Sequence, residues 1–284
     1  MSVRLLLSTQ RSGSHFLKAL IEARFPAVVC SGEVLEEPVA FSRQFPALAA
    51  APEFPHFWLW YELAAAARSI SVAPDRRIEA FDAYLSKLQA LVKPKDVLVD
   101  VKYNTLRALG GYWDTEHGSS DFTTYVTSRH IPVLHLIRKN ILRVLISEKM
   151  ARQSGVRFRM KDAVSDVLPA KVRLNPKTVL AEIQAIHALT HDYRNHFEGH
   201  PGYQEIIYED VVREREFTHT GAHLRTLGHF FSRKPNGTSQ PAIPFKKIAP
   251  EDPADAVENW DEVVRALQCT EHGWMAQARL LAAA

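Results

Sequence analysis

Residues 4–21 read RLLLSTQRSGSHFLKALI, and the order of residue types within that stretch decides the fold. Leu5, Leu6 and Leu7 form a short unbroken apolar run, as in a strand buried on both faces. Thr9, Gln10, Arg11, Ser12, Gly13 and Ser14 are turn formers and hydrogen-bond donors. Phe16, Leu17, Leu20 and Ile21 then recur at helical spacing. A helix that opens there points its first N–H groups and its positive dipole end back at the turn. Arg11 adds a permanent cation, and Ser12 and Ser14 add hydroxyl donors. Gly13 lets the backbone approach a ligand without a Cβ in the way. Together these residues suit an anion site for a phosphate or a sulfate. They also suit an ordinary polar turn, and one glycine does not separate the two readings.

Outward from that stretch, short apolar runs alternate with helical periods. Ala27–Cys30 reads as a second strand, ending in Ser31-Gly32-Glu33. Glu36 to Pro55 reads as an irregular excursion rich in Pro and Ala. Phe57–Ile70 and Pro74–Leu91 read as helices. Val97–Val101 is a third strand followed by Lys102, and Phe122–Arg129 a helix. Pro132–Ile137 is a fourth strand, after which Arg138-Lys139-Asn140 opens a helix to about Gln153. Gly155–Leu174 is basic, shows no clear period and reads as a loop. A helix over Pro176–Phe197, a fifth strand over Tyr203–Tyr208 and a helix over Phe217–Phe231 follow. Lys234–Pro253 holds five prolines and reads as a surface loop, and Asp255–Leu281 as a closing helix. This is the pattern of an α/β fold: a P-loop-like central parallel sheet flanked by helices, in a single domain over residues 1–284. Ligands of such sheets bind beyond the carboxyl ends of the strands. The Arg11–Ser14 turn, Glu33, Lys102 and Arg138 all fall there.

The totals narrow the partners. Thirty-five Lys and Arg against 32 Asp and Glu leave a formal net charge of +3. So small a surplus argues against a general nucleic-acid binder and allows a local basic pocket. Cys30 and Cys269 are too few for a disulfide framework or a cysteine-built metal site, so a reducing compartment is expected. No run approaches the ~20 apolar residues of a membrane span, and the N-terminal run is too short for a signal peptide. A cytoplasmic protein without a transmembrane segment is the expectation. The thirteen histidines form no metal-binding pattern.

A second anion site is readable in RKNILRVLIS, where Arg138 ends a strand and Ser147 lies nine residues on along the next helix. A guanidinium and a hydroxyl so placed can grip one phosphate from two sides; a surface Arg and an unrelated helix Ser would read alike. Taken with the first stretch, this resembles the sulfotransferase family that uses 3′-phosphoadenosine-5′-phosphosulfate (PAPS). The R-x-N-x-L form is similar to the bacterial branch that sulfates sugars and lipids such as trehalose and nodulation factors. Ser31-Gly32-Glu33, Val101-Lys102-Tyr103-Asn104, Tyr208-Glu209-Asp210 and Asn259-Trp260-Asp261-Glu262-Val263 extend the resemblance over nearly the whole chain. It departs in three places: Glu36–Pro55 offers no match, His15 stands where the family often has Thr, and Lys246 and Lys247 match a late basic residue only loosely.

The resemblance implies a sulfotransferase fold and sulfuryl transfer from PAPS, with 3′-phosphoadenosine-5′-phosphate as the product. Arg11, Ser12, Gly13, Ser14, His15 and Phe16 would hold the 5′-phosphosulfate, Arg138 and Ser147 the 3′-phosphate, and Lys247 would reach the nucleotide. The acceptor would be a hydroxylated small molecule, a sugar or a glycolipid. Arg11 would stabilise the bridging oxygen, and no metal would be needed. The acceptor's proton needs a base: Glu33 first, His15 second, His135 third. His135, between Leu134 and Leu136, also reads as a core histidine. Trp58, Trp60 and Tyr61 read either as an acceptor platform or as plain core. Two rival functions stand beside this one: a small-molecule kinase and a nucleotide-binding module without catalysis. Oligomeric state is open, a homodimer included.

Overall fold

The computed structural model describes residues 2–36, 56–66, 76–109, 120–155, 159–160, 170–213, 222–237, 245–246, 249–250 and 252–277. Five strands, β1 (Val3–Ser8), β2 (Val28–Glu33), β3 (Asp96–Lys102), β4 (Val133–Ile137) and β6 (Tyr203–Ile207), form one sheet in the order β2-β3-β1-β4-β6. Every neighbouring pair is parallel. A short antiparallel pair, β5 (Arg159–Met160) with β7 (Phe245–Lys246), stands apart. The expected α/β architecture is therefore the observed one.

The pleat sorts the apolar residues onto two faces. Leu5, Leu7, Val97, Val99 and Val101 point to one core, shared with α2 (Phe57–Ala66), α3 (Arg77–Val92) and α4 (Asp121–Ser128). Leu6, Leu98, Leu134 and Leu136 point to the other, shared with α1 (Ser14–Arg24) and α8 (Ala222–Phe231). Both faces are covered, which is why the strands read as unbroken apolar runs rather than as alternation. A third cluster joins α5 (Ile141–Ser154), α6 (Val179–Phe197) and α9 (Trp260–Leu267) beside the sheet. Phe57 packs edge-on against Phe81, Tyr84 and Trp58 in the first core, and Trp60 and Tyr61 join it. The aromatic cluster of α2 is thus part of the core.

Some local readings change. The strand expected to run through Tyr208 stops at Ile207, and Tyr208 opens α7 (Tyr208–Arg213). The closing helix is broken into 3₁₀ turns at Pro253–Asp255 and Gly273–Ala276 with α9 between them. After α9 the Leu267 carbonyl accepts from both the Thr270 N–H at 2.9 Å and the Thr270 hydroxyl at 2.8 Å, a tight turn in place of a further helical bond. Within the basic stretch, Val172 bridges to Val257, so its described end is pinned to the fold. No helix among the described residues is long and apolar enough to cross a membrane.

His135 lies in the core, fully buried on β4. Its Nδ1 is 2.7 Å from the Tyr203 hydroxyl, which donates to Glu205 at 2.7 Å. Tyr203 has only that one proton, so Nδ1 is the donor and Nε2 accepts from Tyr103. Arg194 holds Glu205 with two bonds, at 2.6 and 2.7 Å. Burial, with Glu205 opposing it, lowers the His135 pKa to about 3. The folded state therefore resists a proton that the unfolded chain accepts below pH ~6.5. Stability from this residue is full above that pH and is lost as pH falls from ~6.5 toward ~3. His135→Asn should flatten the slope of unfolding free energy against pH in that window by up to ~1.4 kcal/mol per pH unit. Urea titrations at stepped pH measure it, and an unchanged slope would contradict a neutral buried imidazole.

Candidate functional site

The chain leaves β1 toward β2 on one side and returns through β4 to the other, so the sheet changes direction between β1 and β4. A crevice opens beyond the carboxyl ends of two such strands. The turn after β1 and the turn after β4 meet in it. Arg11 adopts a left-handed backbone with φ of 61°, and Gly13 one with φ of 94°. For Arg11 that conformation costs ~1–2 kcal/mol, and contacts from outside the turn hold it. The Arg138 Nη1 donates to the Arg11 carbonyl at 2.7 Å, and Arg11 Nε donates to Ser147 Oγ at 3.1 Å. The two stretches expected to bind anions are thus brought together: Arg138 and Ser147 grip the loop that carries Arg11.

Gly13 is needed for two reasons, its φ and its neighbour. A Cβ there would lie 2.2 Å from Cε2 of Tyr208, whose ring lies under the Arg138 guanidinium at 4.7 Å. Helix α1 then begins at Ser14 with no side-chain cap on its N-terminus. Ser12 Oγ and Arg138 Nε are buried and have no hydrogen-bond partner. Buried polar atoms seldom stay unpaired, and two of them flanking a helix N-terminus suit a ligand rich in anionic oxygens.

The wall beside the loop is ionic. Asp100 is fully buried, with Oδ1 2.7 Å from Lys102 Nζ and Oδ2 2.8 Å from Lys18 Nζ. Lys102 also donates to Ser8 Oγ at 2.9 Å and Ser14 Oγ at 2.7 Å, tying β3 to both ends of the loop. Burial pushes the Asp100 carboxyl up, but Lys102 and Lys18 outweigh it and hold the group well below the usual carboxylate range. Glu33 reaches the same wall, with Oε1 3.9 Å from Lys102 Nζ and 4.0 Å from His15 Nε2. Burial raises the Glu33 pKa; Lys102 opposes it, while Asp100 and Glu36 add to it. Burial, then the charge of Lys18, lowers the His15 pKa to about 3. Of the two neighbours, Glu33 is the stronger proton acceptor, because its pKa moves toward neutrality and that of His15 moves away.

The structure brings Arg11, Ser12, Gly13, Ser14, His15, Glu33, Arg138 and Ser147 to this crevice, with Phe16 in the first turn of α1. His135 is not part of it, and Lys247 lies outside the described residues. Residues whose role the sequence does not reveal complete the site. Glu209 accepts the backbone N–H groups of Lys139 and Asn140, both at 3.0 Å, and so clasps the turn that carries Arg138. Asn140 Oδ1 caps α5 by accepting from Arg143 N at 3.1 Å. Lys18 was detectable as a charge at an apolar position of α1, and Asp100 as a charge inside the run VLVDV. Among the described residues no group of His, Cys, Asp and Glu could hold a metal ion. A cavity of about 460 Å³ opens at the opposite end of the sheet, lined by Val3, Tyr125 and Arg129. There Tyr125 and Arg129 both bond to Asp82.

Arranged this way, the crevice can hold an anion against a helix N-terminus and two arginines, with a carboxylate of raised pKa beside it. The chain matches no model of a known protein family, and no curated protein sequence matches it.

Gly13→Ala should lower the unfolding free energy by ~1–3 kcal/mol through backbone strain and displacement of the Tyr208 ring. Adding Tyr208→Ala removes the collision and leaves the φ penalty, so the collision part of the loss should vanish in that background. Chemical denaturation of the four proteins measures this, and equal midpoints for wild type and Gly13→Ala would rule out the described loop.

Proposed function

We propose that this chain is a sulfotransferase that moves a sulfuryl group from PAPS to a hydroxyl of a sugar, glycolipid or other small acceptor. The observation that supports it most is the meeting of Arg138 and Ser147 with the Arg11 loop, from 127 and 136 residues away. A single phosphate needs one of these motifs; a nucleotide with phosphates at 5′ and 3′ uses both. Backbone N–H groups over Ser12–Phe16 would receive the 5′-phosphate, and Arg138 with Ser147 the 3′-phosphate. In the reaction the bond from sulfur to the 5′-phosphate oxygen breaks and a bond from sulfur to the acceptor oxygen forms. Arg11 would neutralise the departing oxygen, and Glu33 would take the hydroxyl proton.

A kinase would need an acidic ligand for magnesium at the end of a strand next to β1. Asp100 stands there, but each of its oxygens already faces an ammonium group. That geometry favours transfer by charge neutralisation from side chains.

By calorimetry, 3′-phosphoadenosine-5′-phosphate should bind better than 5′-AMP by ~1.5–3 kcal/mol, the worth of charge-assisted contacts to the 3′-phosphate. Arg138→Ala should erase the difference, and equal affinities in the wild type would overturn the two-phosphate reading. With labelled donor and a panel of hydroxylated acceptors, Glu33→Gln should bind nucleotide normally while turnover falls ~100- to 10,000-fold. Tight nucleotide binding without transfer to any acceptor would favour the non-catalytic module.

A further inference from the structure

Strand β2 changes register against β3 close to its end. Cys30 lies opposite Leu98, yet Glu33 lies opposite Asp100, so three steps on β2 match two on β3. One residue is extra, which is the count of a β-bulge. The consequence for Glu33 follows from the pleat. Val28 and Cys30 face the α1 side of the sheet, with Leu98. Regular alternation would put Gly32 on that side and turn Glu33 to the other, opposite Val101 and into the apolar core of α2 and α3. The extra residue reverses the alternation and returns Glu33 to the side of Asp100, Lys102 and His15.

Two side chains hold the bulge. The Asp100 N–H is taken by Ser31 Oγ at 3.1 Å rather than by a backbone carbonyl, and that hydroxyl donates on to the Gly32 carbonyl at 2.9 Å. The Ser31 carbonyl accepts from Lys18 Nζ at 3.0 Å. Lys18 lies 7% exposed and Ser31 2% exposed, so water does not replace these bonds. The other partner of Lys18 is Asp100, so one ammonium ties α1, the bulge and β3 together.

We infer that Lys18, with Ser31, is a positioning residue for Glu33: it maintains the one-residue bulge that turns the Glu33 carboxylate out of the apolar side of the sheet and into the crevice. The activity arm of its test rests on the sulfuryl-transfer reading; the structural arm does not. Lys18→Met keeps the length of the side chain and removes the ammonium. Ser31→Ala removes the hydroxyl and leaves the Lys18–Asp100 pair intact, so it separates position from charge and serves if the first variant does not fold.

In the structural arm, interstrand NOEs between Glu33 and Asp100 report the bulged register without any substrate. They should be lost or shift toward Val101 in both variants. Their persistence in the folded variants would overturn the inference whatever the protein's activity. In the kinetic arm, with labelled PAPS and an accepted hydroxyl compound, Lys18→Met should lower kcat ~10- to 100-fold, with the donor KM within about threefold. In a Glu33→Gln background the same change should cost no more than about twofold, since Lys18 acts through Glu33. An equal loss in both backgrounds would overturn the inference. Absence of transfer by the wild type would defeat the sulfotransferase reading alone and leave the register measurement to decide this one.

Discussion

Asp100 and its two ammonium partners are the constraint on which the rest of the site depends. A carboxylate without exposure needs compensating charge, and here Lys102 and Lys18 supply it from two directions. Replacing such a group with well-packed apolar residues is often neutral for stability, but removing one partner costs ~3–5 kcal/mol. Its value in this protein is direction. Lys102 aims at Ser8 and Ser14, and Lys18 at Ser31, so strand, loop, helix and bulge are all referred to one buried carboxylate.

The loop after β1 is correspondingly not self-supporting. Its two left-handed residues, Arg11 and Gly13, are held from the far side of the crevice by Arg138 and Tyr208. The Arg138 turn is in turn held by Glu209, the residue after Tyr208. The end of β6 therefore stabilises the end of β1 through the end of β4. Strain at the loop persists because surrounding elements over-determine it, as is common where a ligand must be met by a fixed set of donors.

Titratable groups separate by environment in the same way. His15 and His135 are both driven toward the neutral form by burial, although one lines the crevice and the other is locked between two tyrosines. Glu33 is pushed the opposite way, since burial disfavours the anion where it disfavours the imidazolium. Two neighbours about 4 Å apart thus move in opposite directions, and only the carboxylate gains strength as a base.

By itself the sequence determined the alternation of strands and helices, the parallel sheet, and the strand-end positions of the Arg11 turn, Glu33, Lys102 and Arg138. Those features follow from local periods of two and 3.6 residues, which a short window contains in full. The broken closing helix escaped that reading because a local turn ends α9, in which Thr270 bonds the Leu267 carbonyl through both its N–H and its hydroxyl. The tertiary structure alone decided which way Glu33 points, what rests on Gly13, and that Arg138 and Ser147 grip Arg11. It bore out the reading of His135, between Leu134 and Leu136, as a core histidine. The physical reason is distance along the chain. Lys18 meets Asp100 82 residues away and Arg11 meets Ser147 136 away. No local pattern encodes such partners, because a side chain's orientation in a sheet depends on the register of the strand beside it.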